Sequence, residues 1–256
     1  MKKINRRSFF GSSMVLMGLY GLAVPDYFRS GRHKDESKTQ QELVRLKGRP
    51  DSRIRHWDII TIGNLSRNRY WGESDERGIR KAICTSTLIR VDDHYVLVDP
   101  SLADAETQAS ELNRRTGLDP DDIDVVFITH QHGDHHAGLP NFPKAKWLAG
   151  ADTAEGLNSR GTYLKPIEPA GSSIYNAIEV VPTPGHTTDH HSLRFDFKGL
   201  SVLIAGDAVA TYDFWTERRM YYNAVDLEES AHTLKKIASL ADIVVPGHDN
   251  CFFNLE

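Results

Sequence analysis

The chain has 256 residues, 39% of them hydrophobic, and a formal net charge of −4, which is enough for one sizeable α/β core. A mildly acidic balance without a long basic run excludes the electrostatic footprint that a nucleic-acid partner requires. Its two cysteines, Cys84 and Cys251, exclude a disulfide scaffold.

Residues 1–25, "MKKINRRSFFGSSMVLMGLYGLAVP", open with basic residues, carry the pair Arg6 and Arg7 before Ser8, Phe9 and Phe10, and then run without charge until Asp26. This resembles a bacterial twin-arginine export signal. The export machinery is then an expected partner, and the periplasm or the exterior the expected destination. A membrane anchor is the alternative, although the apolar run is rich in Gly and Ser and short against the roughly 20 residues of a span. No small-x-small site precedes Pro25, so release and tethering both stay open. Residues 26–55 are charged and lack an apolar period, which predicts a polar tether. The catalytic domain is expected over 56–256.

From there the pattern alternates. "WDIITIGNL", "ICTSTLIRV" and "HYVLVDP" read as strands, and "AETQASELNRRTG" as a helix closed by Gly117. "IDVVFITH" is a buried strand that delivers His130 to its end. "KAKWLAG", "AIEVVPTPGH", "HSLRFDFKG" and "SVLIAGDA" continue the strands, with Lys198 and Gly199 turning a hairpin. "DLEESAHTLKKIASLA" predicts a helix with Leu227, Ala231, Leu234 and Ile237 on one face, and "DIVVPGHD" is the last strand. Groups of strands separated by helices predict two sheets face to face with helices outside.

Candidate ligands recur where these strands end. His130, His186, Asp207 and His248 each close one, and His132, Asp134 and His135 follow His130 at once. Strand ends in Gly-bearing turns are rigid enough to preorganise a metal site. A closed structural zinc needs four ligands, usually with thiolates, whereas these seven are all N or O donors. Two ions bridged by a carboxylate and a water, roughly 3.5–4 Å apart, would use all seven.

"HQHGDH" over His130 to His135, followed by His186, Asp207 and His248, resembles the metallo-β-lactamase superfamily from about residue 57 onward. The resemblance implies a four-layer αββα fold. It implies two divalent metal ions, expected to be Zn2+, one on His130, His132 and His186 and the other on Asp134, His135 and His248, with Asp207 as the bridge. Asp99 and His190 would support the ligands from behind. A hydroxide shared by two dications can attack an electrophilic carbonyl or phosphorus, with Asp134 and Asp207 in the catalytic roles.

The remaining histidines have blander expectations. His136 and His191 are non-ligands, since seven positions fill both ions, and His33, His56, His94 and His232 are solvated. Asp189 replaces the glycine usual in that family turn, where Asp tolerates unusual backbone angles.

The expected substrate is a small molecule with an ester-like bond, a lactone being favoured. Zinc β-lactamases generally lack the bridging aspartate. Glyoxalase-type thioesterases carry a helical domain after the last ligand, whereas here eight residues follow His248. Phosphodiesterases share the fold. Acyl-homoserine-lactone lactonases agree in motif and bridge but place a tyrosine where this chain has Ala210; Tyr212 is the nearby substitute. A mononuclear iron sulfur dioxygenase is the alternative of another class, against which His135 and His248 complete a second position. Segments 64–81 and 211–223 mix aromatics with Arg67, Arg69, Arg218 and Arg219, and are expected to shape the pocket and meet a substrate anion.

Overall fold

Alternating and continuous apolar runs set the strands, and the computed structural model describes residues 46–49 and 52–255. The twin-arginine segment and most of the tether lie outside the described residues. No helix among the described residues is long and apolar enough to cross a membrane.

The first sheet takes its strands in chain order: β1 (Ile54–Thr61), β2 (Ser86–Val91), β3 (His94–Val98), β4 (Val125–Ile128), β5 (Lys146–Ala149) and β6 (Glu168–Pro169). β1 to β3 are antiparallel and β3 to β6 parallel. The second sheet also follows the chain: β7 (Ser173–Ile174), β8 (Ile178–Pro182), β9 (His191–Phe197), β10 (Leu200–Gly206), β11 (Ile243–Pro246) and β12 (Phe252–Phe253). Its pairs are antiparallel except β10 with β11. The β9–β10 hairpin turns at Lys198 and Gly199, both at positive φ, as two-residue hairpin turns demand.

Among the described residues, five α-helices accompany the sheets: α1 (Ala105–Thr116), α2 (Gly133–His136), α3 (Ala151–Ser159), α4 (Tyr212–Thr216) and α5 (Leu227–Leu240). Ile89, Val96, Phe127, Leu193, Phe195 and Ile204 belong to the core between the sheets. Leu97, Leu112, Val126 and Leu157 join α1 and α3 to the outer face of the first sheet. Leu203, Val244, Trp215, Leu234 and Ile237 join α4 and α5 to the outer face of the second. These are the four layers of the expected αββα fold. Each such apolar side chain contributes about 1.5–3 kcal/mol when fully buried, the term that offsets a polar site at the same sheet ends.

Two expectations change. The folded part starts upstream of residue 56: Ile54 opens β1, the Lys47 amide donates to Asp242, and Arg49 pairs with Asp196. Lys47 Nζ also donates to the Ala238 and Ala241 carbonyls at the end of α5, where a cation satisfies orphan acceptors. In α5 the buried residues are Ser230, Thr233, Leu234 and Ile237, while Leu227 and Ala231 are exposed. The small hydroxyl residues can face inward because Ser230 bonds the Asp226 carbonyl and Thr233 the Pro184 carbonyl.

Candidate metal centre

All seven candidate ligands meet at one end of the two sheets. His130 follows β4 by two residues, His186 comes after β8, Asp207 directly follows β10, and His248 comes two residues after β11. Backbone bonds from His191 N to Thr129 O (2.9 Å) and from Thr85 N to Gly247 O (2.6 Å) fasten the surrounding turns. The one-turn helix α2 sorts its own histidines. Successive residues on a helix point about 100° apart, so His135 faces Asp207 while His136 turns to Tyr163. His136 is thus buried against Tyr163.

The donors form two clusters that share Asp207. His130 Nε2 and His186 Nε2 each lie 2.9 Å from His132 Nδ1, and Asp207 Oδ2 is 3.2 Å from His186 Nε2 and 4.0 Å from His130 Nε2. On the other side Asp207 Oδ1 lies 3.2 Å from His135 Nε2 and 3.1 Å from His248 Nε2. Asp134 Oδ2 completes that side, 3.5 Å from His248 Nε2. Each carboxylate oxygen therefore addresses a different set of imidazoles. A Cβ at Gly247 would collide with Asp207 Oδ1, which is why the turn before His248 carries a glycine.

Hydrogen bonds behind the rings fix which nitrogen faces inward. His248 Nδ1 lies 3.1 Å and 3.0 Å from the Asn64 and Ile83 carbonyls; carbonyls only accept, so Nδ1 carries the proton and Nε2 keeps its lone pair. His135 Nδ1 donates in the same way to Asp99 Oδ2 at 2.8 Å. Asp99 thus stands behind His135. His135 Nε2 and Asp207 Oδ1, 3.2 Å apart, are buried and make no well-aligned hydrogen bond. Converging lone pairs, a carboxylate and buried acceptors fit divalent cations.

The electrostatics divide the clusters. Burial pushes His130 well below its ordinary pKa, His132 below it, and His186 down to about 4. Burial acts the same way on His135 and His248, but Cys84, Asp207 and Asp99 around His135, and Asp207 beside His248, outweigh it and raise both. Burial likewise opposes ionisation of Asp207, and the His248, His135 and His186 imidazoles overcome it, holding the carboxyl well below the usual range.

His130, His135, His186, Asp207 and His248 are buried, whereas His132 and Asp134 are partly exposed. The centre therefore opens to solvent on the α2 side. His190 lies behind the first cluster, its ring stacked at 5.0 Å from His130 and its Nδ1 2.9 Å from Thr183 Oγ1. Asp189 has a structural task instead. Its Oδ2 accepts from Thr153 N at 2.7 Å and caps α3, whose own N-cap Gly150 has no side chain to do so.

The two aromatic segments grip one another. Tyr221 Oη bonds Ser66 Oγ and the Arg67 carbonyl, Tyr222 Oη accepts from Arg69 N, and Leu65, Ala210, Phe214 and Tyr221 form a small apolar cluster. Among the candidate arginines, Arg69 pairs with Asp75, and Arg67 and Arg218 lie over Tyr222 and Trp215. Tyr212, the nearby tyrosine, packs its ring edge-on against Phe252 at 4.9 Å. His56 and His94 are exposed, beside Asp58 and Tyr175 respectively, and His232 is exposed. His191 is half-buried, 3.5 Å from Asp189, and His33 lies outside the described residues.

The chain is similar to known proteins. The family model of the metallo-beta-lactamase superfamily matches residues 79–157. The "probable metallo-hydrolase" of Methanocaldococcus jannaschii is 32% identical over 179 residues, covering 68% of this chain and 81% of the relative. The chain belongs to the metallo-beta-lactamase superfamily. A hydroxyacylglutathione hydrolase of Francisella tularensis subsp. novicida is 28% identical, over 64% of this chain and 62% of that enzyme. Among solved structures, a dizinc quorum-quenching lactonase in complex with its product shares the fold, with a TM-score of 0.55, 16% identity, and coverage of 67% of this chain and 75% of that one. The chain is a metallo-hydrolase of this superfamily.

Sequence reasoning missed Thr129, Asn64 and Ile83, whose backbone and hydroxyl groups hold ligand rings from behind. "ITH" carries Thr129 as an ordinary strand residue, and carbonyl acceptors leave no mark in a sequence.

Proposed function

We propose that the protein is a two-metal hydrolase of small molecules with an ester-like bond, lactones being the favoured class, and that the ions are Zn2+. The observation that carries this reading is Asp207, whose two oxygens face different clusters at 3.2 Å and 3.1–3.2 Å. Bound there, a pair of divalent ions would lower the pKa of a water and polarise a scissile carbonyl.

The chain's own residues supply the rest. His130, His132 and His186 would hold one ion, Asp134, His135 and His248 the other, and Asp207 would keep the two at a fixed spacing. Asp134, partly exposed at the mouth, is placed to orient an entering water by accepting its proton in a hydrogen bond. The buried floor excludes bulk water, which strengthens each charge interaction at the reacting centre. The likeness to a dizinc lactonase supports the lactone preference, while Ala210 leaves its carbonyl oxygen without a phenol from that position.

The test is metal content together with turnover on an ester, lactone, thioester and phosphodiester panel, before and after chelation. Two zinc ions per chain and chelator-sensitive hydrolysis, strongest on lactones, are expected. Full activity without metal, or one iron per chain with no hydrolysis, would overturn the reading.

We also propose export through the twin-arginine pathway, supported by Arg6 and Arg7 before the uncharged run. Replacing both by Lys should leave active enzyme in the cytoplasm, as measured by fractionation; an unchanged exported yield would contradict it.

A further inference from the structure

We propose that Asp99 and Thr129 form one outer clamp that ties the two ligand clusters together, so that the two metal positions are loaded as a coupled pair. The inference rests on the two-ion reading above.

The proton count around Asp99 carries it. Asp99 is 1% exposed and, as a carboxylate, can only accept hydrogen bonds. Oδ1 accepts from Thr129 N at 2.8 Å, and Oδ2 accepts from Thr129 Oγ1 at 2.7 Å and from His135 Nδ1 at 2.8 Å. The single hydroxyl proton of Thr129 is thereby committed to Asp99. The same oxygen lies 3.1 Å from His130 Nδ1, so in that contact it can only accept, and His130 Nδ1 must carry the proton. His130 Nε2 is left with its lone pair toward His132 and Asp207. One carboxylate therefore orients a ligand of each cluster, His135 directly and His130 through one hydroxyl.

The surroundings leave the clamp little freedom. Asp99 holds φ at 50°, a left-handed conformation that Asp tolerates better than most residues. A Cβ at Gly206 would stand 2.7 Å from Thr129 Oγ1 and 3.0 Å from His190 Nε2, so the backbone beside Asp207 closes directly over the hydroxyl. The Thr129 carbonyl is also engaged, accepting from His191 N. A shift of Asp99 is thus felt by His130, His135 and the strand end that carries Asp207.

The test uses the metal-free full-length chain titrated with Zn2+ against a chromophoric chelator, in wild type, Thr129→Val, Thr129→Ser, Asp99→Asn and the Asp99→Asn/Thr129→Val double variant. Isotope-labelled histidine NMR of the zinc-loaded chains assigns the ions and reads which ring nitrogens carry protons. Thr129→Val should weaken the His130/His132/His186 position about tenfold or more, and Thr129→Ser should restore it. Asp99→Asn should weaken both positions, and the double variant should be no worse than Asp99→Asn by more than a small factor, because both changes break one unit. Nδ1 should be protonated on both His130 and His135 in the wild type, a readout that survives if Thr129→Val fails to fold. Additive losses, an Asp99→Asn effect confined to the His135 position, or His130 without a proton on Nδ1 would overturn the clamp. A wild type that binds one ion overturns the two-ion reading itself; two ions that load independently overturn only the coupling.

Discussion

His130, His132 and His186 face Asp207 Oδ2 as imidazoles whose pKa values burial depresses, whereas His135 and His248 face Oδ1 with pKa values raised by the acids around them. The same carboxylate thus borders two clusters of opposite proton character. The first resembles a preformed cation site of neutral nitrogens. The second binds protons more tightly, so a cation there competes with them. The difference shows that seven donors at four strand ends do not make two equivalent positions, even when each has three donors of its own.

The largest test of that contrast is to weaken the residue common to both clusters. Asp207→Asn keeps the shape of the side chain but replaces a charged bridge by a neutral carboxamide, which serves two cations poorly. Turnover on the best substrate should fall at least about tenfold, within the several kcal/mol that metal-ion catalysis supplies, and metal content should fall with it. Wild-type turnover with two ions retained would assign Asp207 to the turn after β10 and nothing more.

Acid should then separate the clusters. Metal binding at His135 and His248 expels the protons that their raised pKa values retain, so log affinity there should fall by about two per pH unit below those values. His186, lowered to about 4, and the depressed His130 and His132 stay unprotonated through mild acid. As the pH falls toward the His186 value of about 4, the Asp134/His135/His248 position should therefore weaken first, as Zn2+ titration at stepped pH would record. Loss from the three-histidine cluster first would erase the contrast.

What was legible in the sequence follows the same division between side chains and their surroundings. Ligand side chains after apolar runs, with glycine in the turns before His186 and His248, announce both the site and its place on the fold. Thr129 was illegible because its role depends on where its one proton goes. Helix α3 was missed because "ADTAEGLNS" carries an interior Gly156 and takes its cap from Asp189, far along the chain. The inward face of α5 was misread where Ser230 and Thr233 replace expected apolar positions by satisfying their own hydroxyls.

Asp189 gives the smallest expected effect and a control for the others. It shares a turn with His186 and His190 but bonds to α3, so Asp189→Ala should cost about 1 kcal/mol of stability through the lost cap and leave metal content unchanged. Denaturant unfolding and metal analysis of the same preparation would show it. A loss of metal comparable to that of Asp207→Asn would mean that the turn, and not the shared carboxylate, governs the centre.

The central claim is that Asp207 divides its two oxygens between two ions, and anomalous diffraction from zinc-loaded crystals measures this directly. The account predicts two zinc peaks roughly 3.5–4 Å apart, one beside His130, His132 and His186 with Asp207 Oδ2, the other beside Asp134, His135 and His248 with Asp207 Oδ1. A single peak, or both Asp207 oxygens on the same ion, would contradict it.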